Sequence, residues 1–205
     1  MIEDSVIHSI AESLPLGTDR LVVAIAGAPG SGKSTLADAL TDYLGKLGHE
    51  AVLVPMDGFH LDNRVLDQRD LRAKKGAPET FDHTGFAALV RRIKAGEDVV
   101  APIFDRNLDL AIAGASPIPS SAKIVVVEGN YLLLDEDGWR ELADIWDFKI
   151  YLDVSEAVLE DRLIARWTAH GFDLEKATVK ALSNDIPNAR RVVRNRQAAD
   201  LTVEN

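Results

Sequence analysis

The chain has 205 residues, a length that suits one domain of ordinary size. With 46% hydrophobic and 27% charged residues, it carries enough apolar mass to fold, which excludes global disorder. Its 23 Lys+Arg against 33 Asp+Glu give a net charge of −10, and cysteine is absent; this excludes a broad basic track for nucleic acid or anionic membrane, and with it disulfides, thiolate metal sites and a cysteine nucleophile.

In chain order, Ile2, Val6, Ile7, Ile10 and Leu14 recur at helical spacing and predict an amphipathic helix over 2–14. The acidic Glu3 and Asp4 stand where a secretory leader would be basic, and no apolar run is long enough to cross a bilayer, so a cytoplasmic protein is expected. Leu21-Val22-Val23-Ala24-Ile25-Ala26 is a continuous apolar run closed by glycine, as in a strand buried on both faces of a parallel sheet. A helix over 33–46 carries Leu36, Leu40 and Leu44 at spacing four and stops at Gly45 or Gly48. A second buried strand is expected at 51–56, while 57–82 reads as polar, partly basic and irregular.

Leu89, Val90 and Ile93 predict a helix over 86–94, followed by a strand over 99–105; residues 106–121 show no period. Strands are expected at 124–127 and 148–152. A helix over 155–170 takes Ser155 as N-cap and Gly171 as stop. Helical stretches over 174–182 and 188–196 and a last strand over 201–203 complete the pattern. Strands alternating with helices predict an α/β fold in three layers, a mainly parallel sheet flanked by helices, with ligands at the carboxyl ends of its strands.

Between the first strand and the next helix, Gly27-Ala28-Pro29-Gly30-Ser31-Gly32-Lys33-Ser34-Thr35 fits G-x-x-x-x-G-K-[ST]. Gly27, Gly30 and Gly32 let the backbone turn so that successive N–H groups, that of Ser31 among them, face phosphate oxygens. The helix adds its positive N-terminal end. Lys33 supplies a cation for the β- and γ-phosphates, the Ser34 hydroxyl is a Mg²⁺ ligand, and Thr35 completes the loop. Two other strands end in an acid and a glycine, Asp57-Gly58 and Glu128-Gly129. In a parallel sheet both carboxylates reach the edge that holds the phosphate loop. Phosphoryl transfer to a hydroxyl needs one group to orient the hydroxyl and take its proton, and a carboxylate to help hold Mg²⁺; these two acids are the natural pair. Asp153 also ends a strand and reads as an ordinary return to water.

At these residues the chain resembles the uridine kinase, phosphoribulokinase and pantothenate kinase family. Gly27 to Thr35, Asp57-Gly58-Phe59-His60, Pro78-Glu79-Thr80-Phe81-Asp82 and Glu128-Gly129 carry the likeness, which extends over roughly 20–204. Bacterial proteins described as fructose transport system kinases look most similar. The resemblance implies a P-loop nucleoside triphosphate hydrolase-type fold, single over 1–205, with an acceptor-binding insertion around 57–121 and a lid around 160–175. It implies Asp57 as base, Glu128 near Mg²⁺, Arg162 and Arg166 as lid arginines, and Asp82 as an acid that holds acceptor hydroxyls. ATP and Mg²⁺ are the expected cofactors.

His60, Asp62, Glu79, Asp82, Asp105, Arg106 and Tyr131 are candidates to line the acceptor site, their carboxylates suiting the hydroxyls of a sugar or nucleoside. His60 can instead pack as an aromatic pair with Phe59, and Arg162 and Arg166 can pair with Glu160 or Asp161. Arg64, Arg69, Arg72, Lys74 and Lys75 form either an exposed flap or a site for an anionic acceptor. The expected activity is transfer of the γ-phosphoryl group of Mg·ATP to a small-molecule hydroxyl, with no nucleic-acid or membrane partner. The alternative is a P-loop switch or regulatory ATPase: Asp135-Glu136-Asp137-Gly138 imitates a switch Asp-x-x-Gly, but Asn-Lys-x-Asp is absent.

Overall fold

A computed structural model describes residues 3–17 and 19–205. The elements are α1 (Asp4–Ser13), β1 (Leu21–Gly27), α2 (Lys33–Lys46), β2 (Ala51–Pro55), α3 (Asn63–Gln68), α4 (His83–Lys94), β3 (Val99–Asp105), β4 (Leu110–Ile118), β5 (Ile124–Gly129), β6 (Phe148–Asp153), α5 (Glu156–Ala169), α6 (Leu174–Lys180), α7 (Ile186–Arg194) and β7 (Leu201–Glu204). Five strands form a parallel sheet in the order β2-β5-β1-β6-β7, and β3 and β4 form a separate antiparallel hairpin.

The apolar runs explain the centre of this sheet. Every residue of β1 and β5 is buried, and period-two alternation sends their side chains to opposite faces. Val22, Ala24, Ala26, Val125 and Val127 meet Phe86, Val90 and Ile93 of α4 on one face. Val23, Ile25 and Val126 meet Ile7, Ile10, Leu36, Leu40 and Leu44 of α1 and α2 on the other. Each fully buried Leu, Ile or Val contributes about 1.5–3 kcal/mol. A third cluster, with Ala28, Leu159, Leu163 and Ile186, seats α5 and α7 beside the turn after β1.

The α/β fold and α2 follow the sequence expectation. Several elements correct it. β2 is an edge strand with Val54 alone fully buried, because its only sheet neighbour is β5. The stretch 106–121, which shows no period, holds β4, paired with β3 from Val99–Ile118 to Asp105–Leu110 with a register shift between Ala101 and Ile103. The region 57–82, expected to be irregular, contains α3, whose N-cap Asp62 accepts from the Arg64 N–H. Gly48, at φ +88°, ends α2; Gly45 lies inside it. Ser155 stands at the N-cap of α5 without a side-chain bond. The two helical stretches near the C-terminus run together through a π-helical turn, Ala181–Asp185. Ile2 of the expected first helix lies outside the described residues. No helix among the described residues is long and apolar enough to cross a membrane.

Candidate active site

The loop between β1 and α2 stands at the carboxyl edge of the sheet. Gly30 at φ +82° and Gly32 at φ +93° adopt the left-handed conformation, where a side chain would be strained. Gly32 is the N-cap of α2, so the loop's amides and the helix's positive end converge. Lys33, the first residue of α2, is only 9% exposed. Burial lowers its pKa, Glu128 and Asp57 oppose that shift, and Arg166 and Arg106 add to it. Glu128, at the end of β5, is 4% exposed. Burial raises its pKa, Lys33 pulls it back, the Asp57 charge raises it further, and the nearby Ser34 hydroxyl lowers it. A buried cation and a buried carboxylate thus lie close enough for each to stabilise the other's charge.

Pro55 pairs with Glu128 across β2 and β5, so Asp57 follows just beyond the level of Glu128, on a 3₁₀ turn, Met56–Phe59. Gly58 is required there: a Cβ would collide with the Pro102 carbonyl of β3, which backs directly onto the turn. The hairpin thereby delivers Arg106, whose Nη2 lies 3.2 Å from Asp57 Oδ2. His60 Nδ1 donates to the Asp57 carbonyl at 2.7 Å. Its ring sits between Phe81 and Phe104, with centroids 4.0 and 4.5 Å away. Burial lowers the His60 pKa from 6.5, with Asp57 opposing the shift.

The opposite wall comes from α5, the turn after it, α6 and the π turn. Arg162 and Arg166 line the cavity and make no ion pair among the described residues. Trp167 Nε1 donates to Asp185 Oδ2 at 2.6 Å. Burial raises the Asp185 pKa, and the indole bond opposes it. Asn184 Nδ2 donates to the Lys75 carbonyl at 3.0 Å, tying the π turn to the segment before α4. The cleft has a volume of about 720 Å³, in the range of small-molecule sites.

The structure brings Gly30, Gly32, Lys33, Ser34, Thr35, Asp57, His60, Arg106, Glu128, Arg162 and Arg166 to this one cavity. Gly27 and Ser31 support the loop from outside the lining; Ser31 is fully buried. Asp82 and Tyr131, expected at the acceptor, are not in the lining. Asp82 is the N-cap of α4, accepting from Gly85 N–H at 2.9 Å. Tyr131 is fully buried among Phe81 and Trp139, and its hydroxyl donates to the Gly76 carbonyl. Asp62 caps α3, Asp105 accepts from the N–H groups of Asn107 and Leu108, and Glu79 pairs with Arg191 at 2.8 Å.

Phe59 packs on Phe86, not on His60. In the basic stretch, Arg64 pairs with Asp62, Arg72 with Asp67, and Lys75 with Asp109. Trp167, Asn184 and Asp185 also line the cavity, although no sequence motif points to them. Trp167 stands four residues after Leu163 on α5 and shares its face, so helical spacing can reach it. It does not reach Asn184 and Asp185, because a π turn inside a helical stretch has no distinctive spacing.

A model of the phosphoribulokinase / uridine kinase family matches residues 22–205. The crystal structure of a protein from Silicibacter sp. TM1040, described as a candidate fructose transport system kinase, is 48% identical in sequence. It superposes with a TM-score of 0.92 over 99% of each chain. The uncharacterized protein YggC of Escherichia coli K12 is 39% identical over 188 residues, covering 90% of this chain and 78% of that protein. A candidate uridine kinase of Schizosaccharomyces pombe is 34% identical over 195 residues, covering 90% and 83%. Family match, fold and phosphate loop agree: the chain belongs to the phosphoribulokinase / uridine kinase family of P-loop kinases, which use ATP.

Proposed function

We propose that this chain is a small-molecule kinase that transfers the γ-phosphoryl group of Mg·ATP to a hydroxyl of a sugar-like or nucleoside acceptor. The observation that carries this reading is the meeting in one cavity of Lys33 and the arginines of α5 with Asp57 and Glu128. A phosphate site and a candidate proton acceptor then face a space large enough for both reactants. The names of the Silicibacter and fission-yeast relatives support a sugar or a nucleoside as acceptor.

In this reading the loop amides, Lys33, Arg162 and Arg166 hold the triphosphate and offset charge that builds on the transferred group. Asp57 accepts a hydrogen bond from the acceptor hydroxyl and aligns its oxygen with the γ-phosphorus. The acceptor O–P bond forms as the β,γ-bridging P–O bond breaks, ADP leaves, and the hydroxyl proton passes to Asp57. Residues 57–121 form the acceptor side, and 160–175 the lid.

The Ser34 hydroxyl beside the Glu128 carboxylate is an oxygen donor set that fits Mg²⁺. No group of three or more His, Asp or Glu suited to a metal occurs among the described residues, so the ion would be shared with the nucleotide and water. When bound, it would neutralise phosphate charge.

A panel of sugars and nucleosides with γ-labelled ATP tests the proposal. Label transfer to one acceptor class is expected. Hydrolysis at a rate indifferent to every acceptor would overturn it in favour of a nucleotide switch or regulatory ATPase.

A further inference from the structure

Ser31 lies in the middle of the phosphate loop, and its carbonyl oxygen accepts two side-chain hydrogen bonds from distant parts of the chain. Asn205 Nδ2 donates at 2.7 Å and Arg162 Nη1 at 3.3 Å. Asn205 follows β7, and its main-chain N–H donates to the Asp153 carbonyl at 3.1 Å. The backbone is therefore pinned to the end of β6 while the carboxamide reaches the loop. The same nitrogen packs against Gly32, where a Cβ would stand 2.9 Å from it.

The peptide joining Ser31 to Gly32 is planar and trans, so its C=O and N–H point in opposite directions. Holding the carbonyl outward turns the Gly32 N–H the other way, toward the cavity that Gly32 lines. Donation to the carbonyl also polarises the peptide and strengthens its N–H as a donor. Arg162 is itself exposed to any ligand in the cavity, whereas Asn205 is not in the lining.

We propose that Asn205 is a positioning residue of the nucleotide site: its carboxamide holds the Ser31–Gly32 peptide in the orientation that binds phosphate. This rests on the reading of the loop as a phosphate site. The group recognised is the polyphosphate, not the base, so the effect extends to any ligand that carries a triphosphate.

The test uses the full chain and calorimetric titration with Mg·ATP, tripolyphosphate and adenosine. Asn205→Ala removes the donor and keeps the main-chain bond to Asp153. It should raise the dissociation constants of ATP and tripolyphosphate about 5–10-fold, the scale of one hydrogen bond. Adenosine affinity should not change. Asn205→Asp keeps the shape but turns an acceptor toward an acceptor, and should weaken tripolyphosphate at least as much; it also serves if the alanine variant folds poorly.

Lys33→Ala, measured alongside, separates the two levels of the argument. Unchanged tripolyphosphate binding in Asn205→Ala, with weakened binding in Lys33→Ala, overturns the role of Asn205 and leaves the proposed function standing. A lower melting temperature without any change in affinity would make Asn205 merely structural and overturn it too. Loss of adenosine affinity alone would assign Asn205 to the base. Intact binding in Lys33→Ala would overturn both readings.

Discussion

Asp57 is held from three sides: its backbone turn is backed by Pro102, its carbonyl accepts from His60, and its carboxylate faces Arg106 at 3.2 Å. Asp57→Asn preserves this shape and removes basicity. The transfer rate should fall ~10²–10⁴-fold, the range for losing a general base, with nearly unchanged ATP affinity. Single-turnover kinetics at saturating ATP would check both; lost ATP binding with a normal transfer rate would move Asp57 to the nucleotide or metal site. His60 gives a pH prediction. Its pKa in the folded chain is below 6.5 because it is buried between two rings. The unfolded chain therefore binds the proton first, and this contribution to stability, present above pH 6.5, is lost as pH falls through the folded pKa. His60→Phe keeps the stacking and should melt with a shallower pH slope between pH 7.5 and 5.5 than the parent. Equal slopes would show that another group is responsible.

At the scale of elements, α5 is the joint between the lid arginines and the phosphate loop. Leu163 is fully buried, and a Cβ on Gly30 would come within 3.1 Å of its Cγ. Leu163→Ala should cost about 2–5 kcal/mol in chemical denaturation, as buried Leu truncations do. It should also raise KM for ATP, since α5 loses its seat on the loop; an unchanged KM would uncouple the two. Elements with strong local signals were legible in the sequence: the apolar runs of β1 and β5, the Leu36-Leu40-Leu44 face of α2, and the phosphate loop with both strand-end acids. β4 was not, because Ala113, Gly114 and Ala115 are exposed and the strand exists through its ladder with β3. The site was legible where a residue's place follows from its own strand, as for Asp57 and Glu128. It was not legible where tertiary packing decides: Asp82 caps the start of α4 and Tyr131 packs in the aromatic core, contacts that the nearby motifs do not spell out.

Over the whole molecule the charge changes sign at the site. Acids outnumber bases 33 to 23 in the chain, yet among the described residues lining the cavity there are seven Lys or Arg and four Asp or Glu. A basic cleft in an acidic body concentrates a polyanion at one place and repels it elsewhere. KM for ATP should therefore rise with NaCl between 50 and ~500 mM as screening grows, while kcat changes little; a flat KM would mean the field plays no part. The sheet order carries a consequence in time. β1 lies at the centre, but its partners β5 and β6 come from far along the chain, with Leu21 against Ile124 and Val23 against Phe148. Such long-range pairing makes folding slow. The loop after β1 is completed over the same kind of distance: its Ser31 carbonyl waits for Asn205, 174 residues further along. During refolding, burial of Trp139 and Trp146 should therefore run ahead of the ability to bind a fluorescent ATP analogue, and stopped-flow traces of the two signals should show the lag.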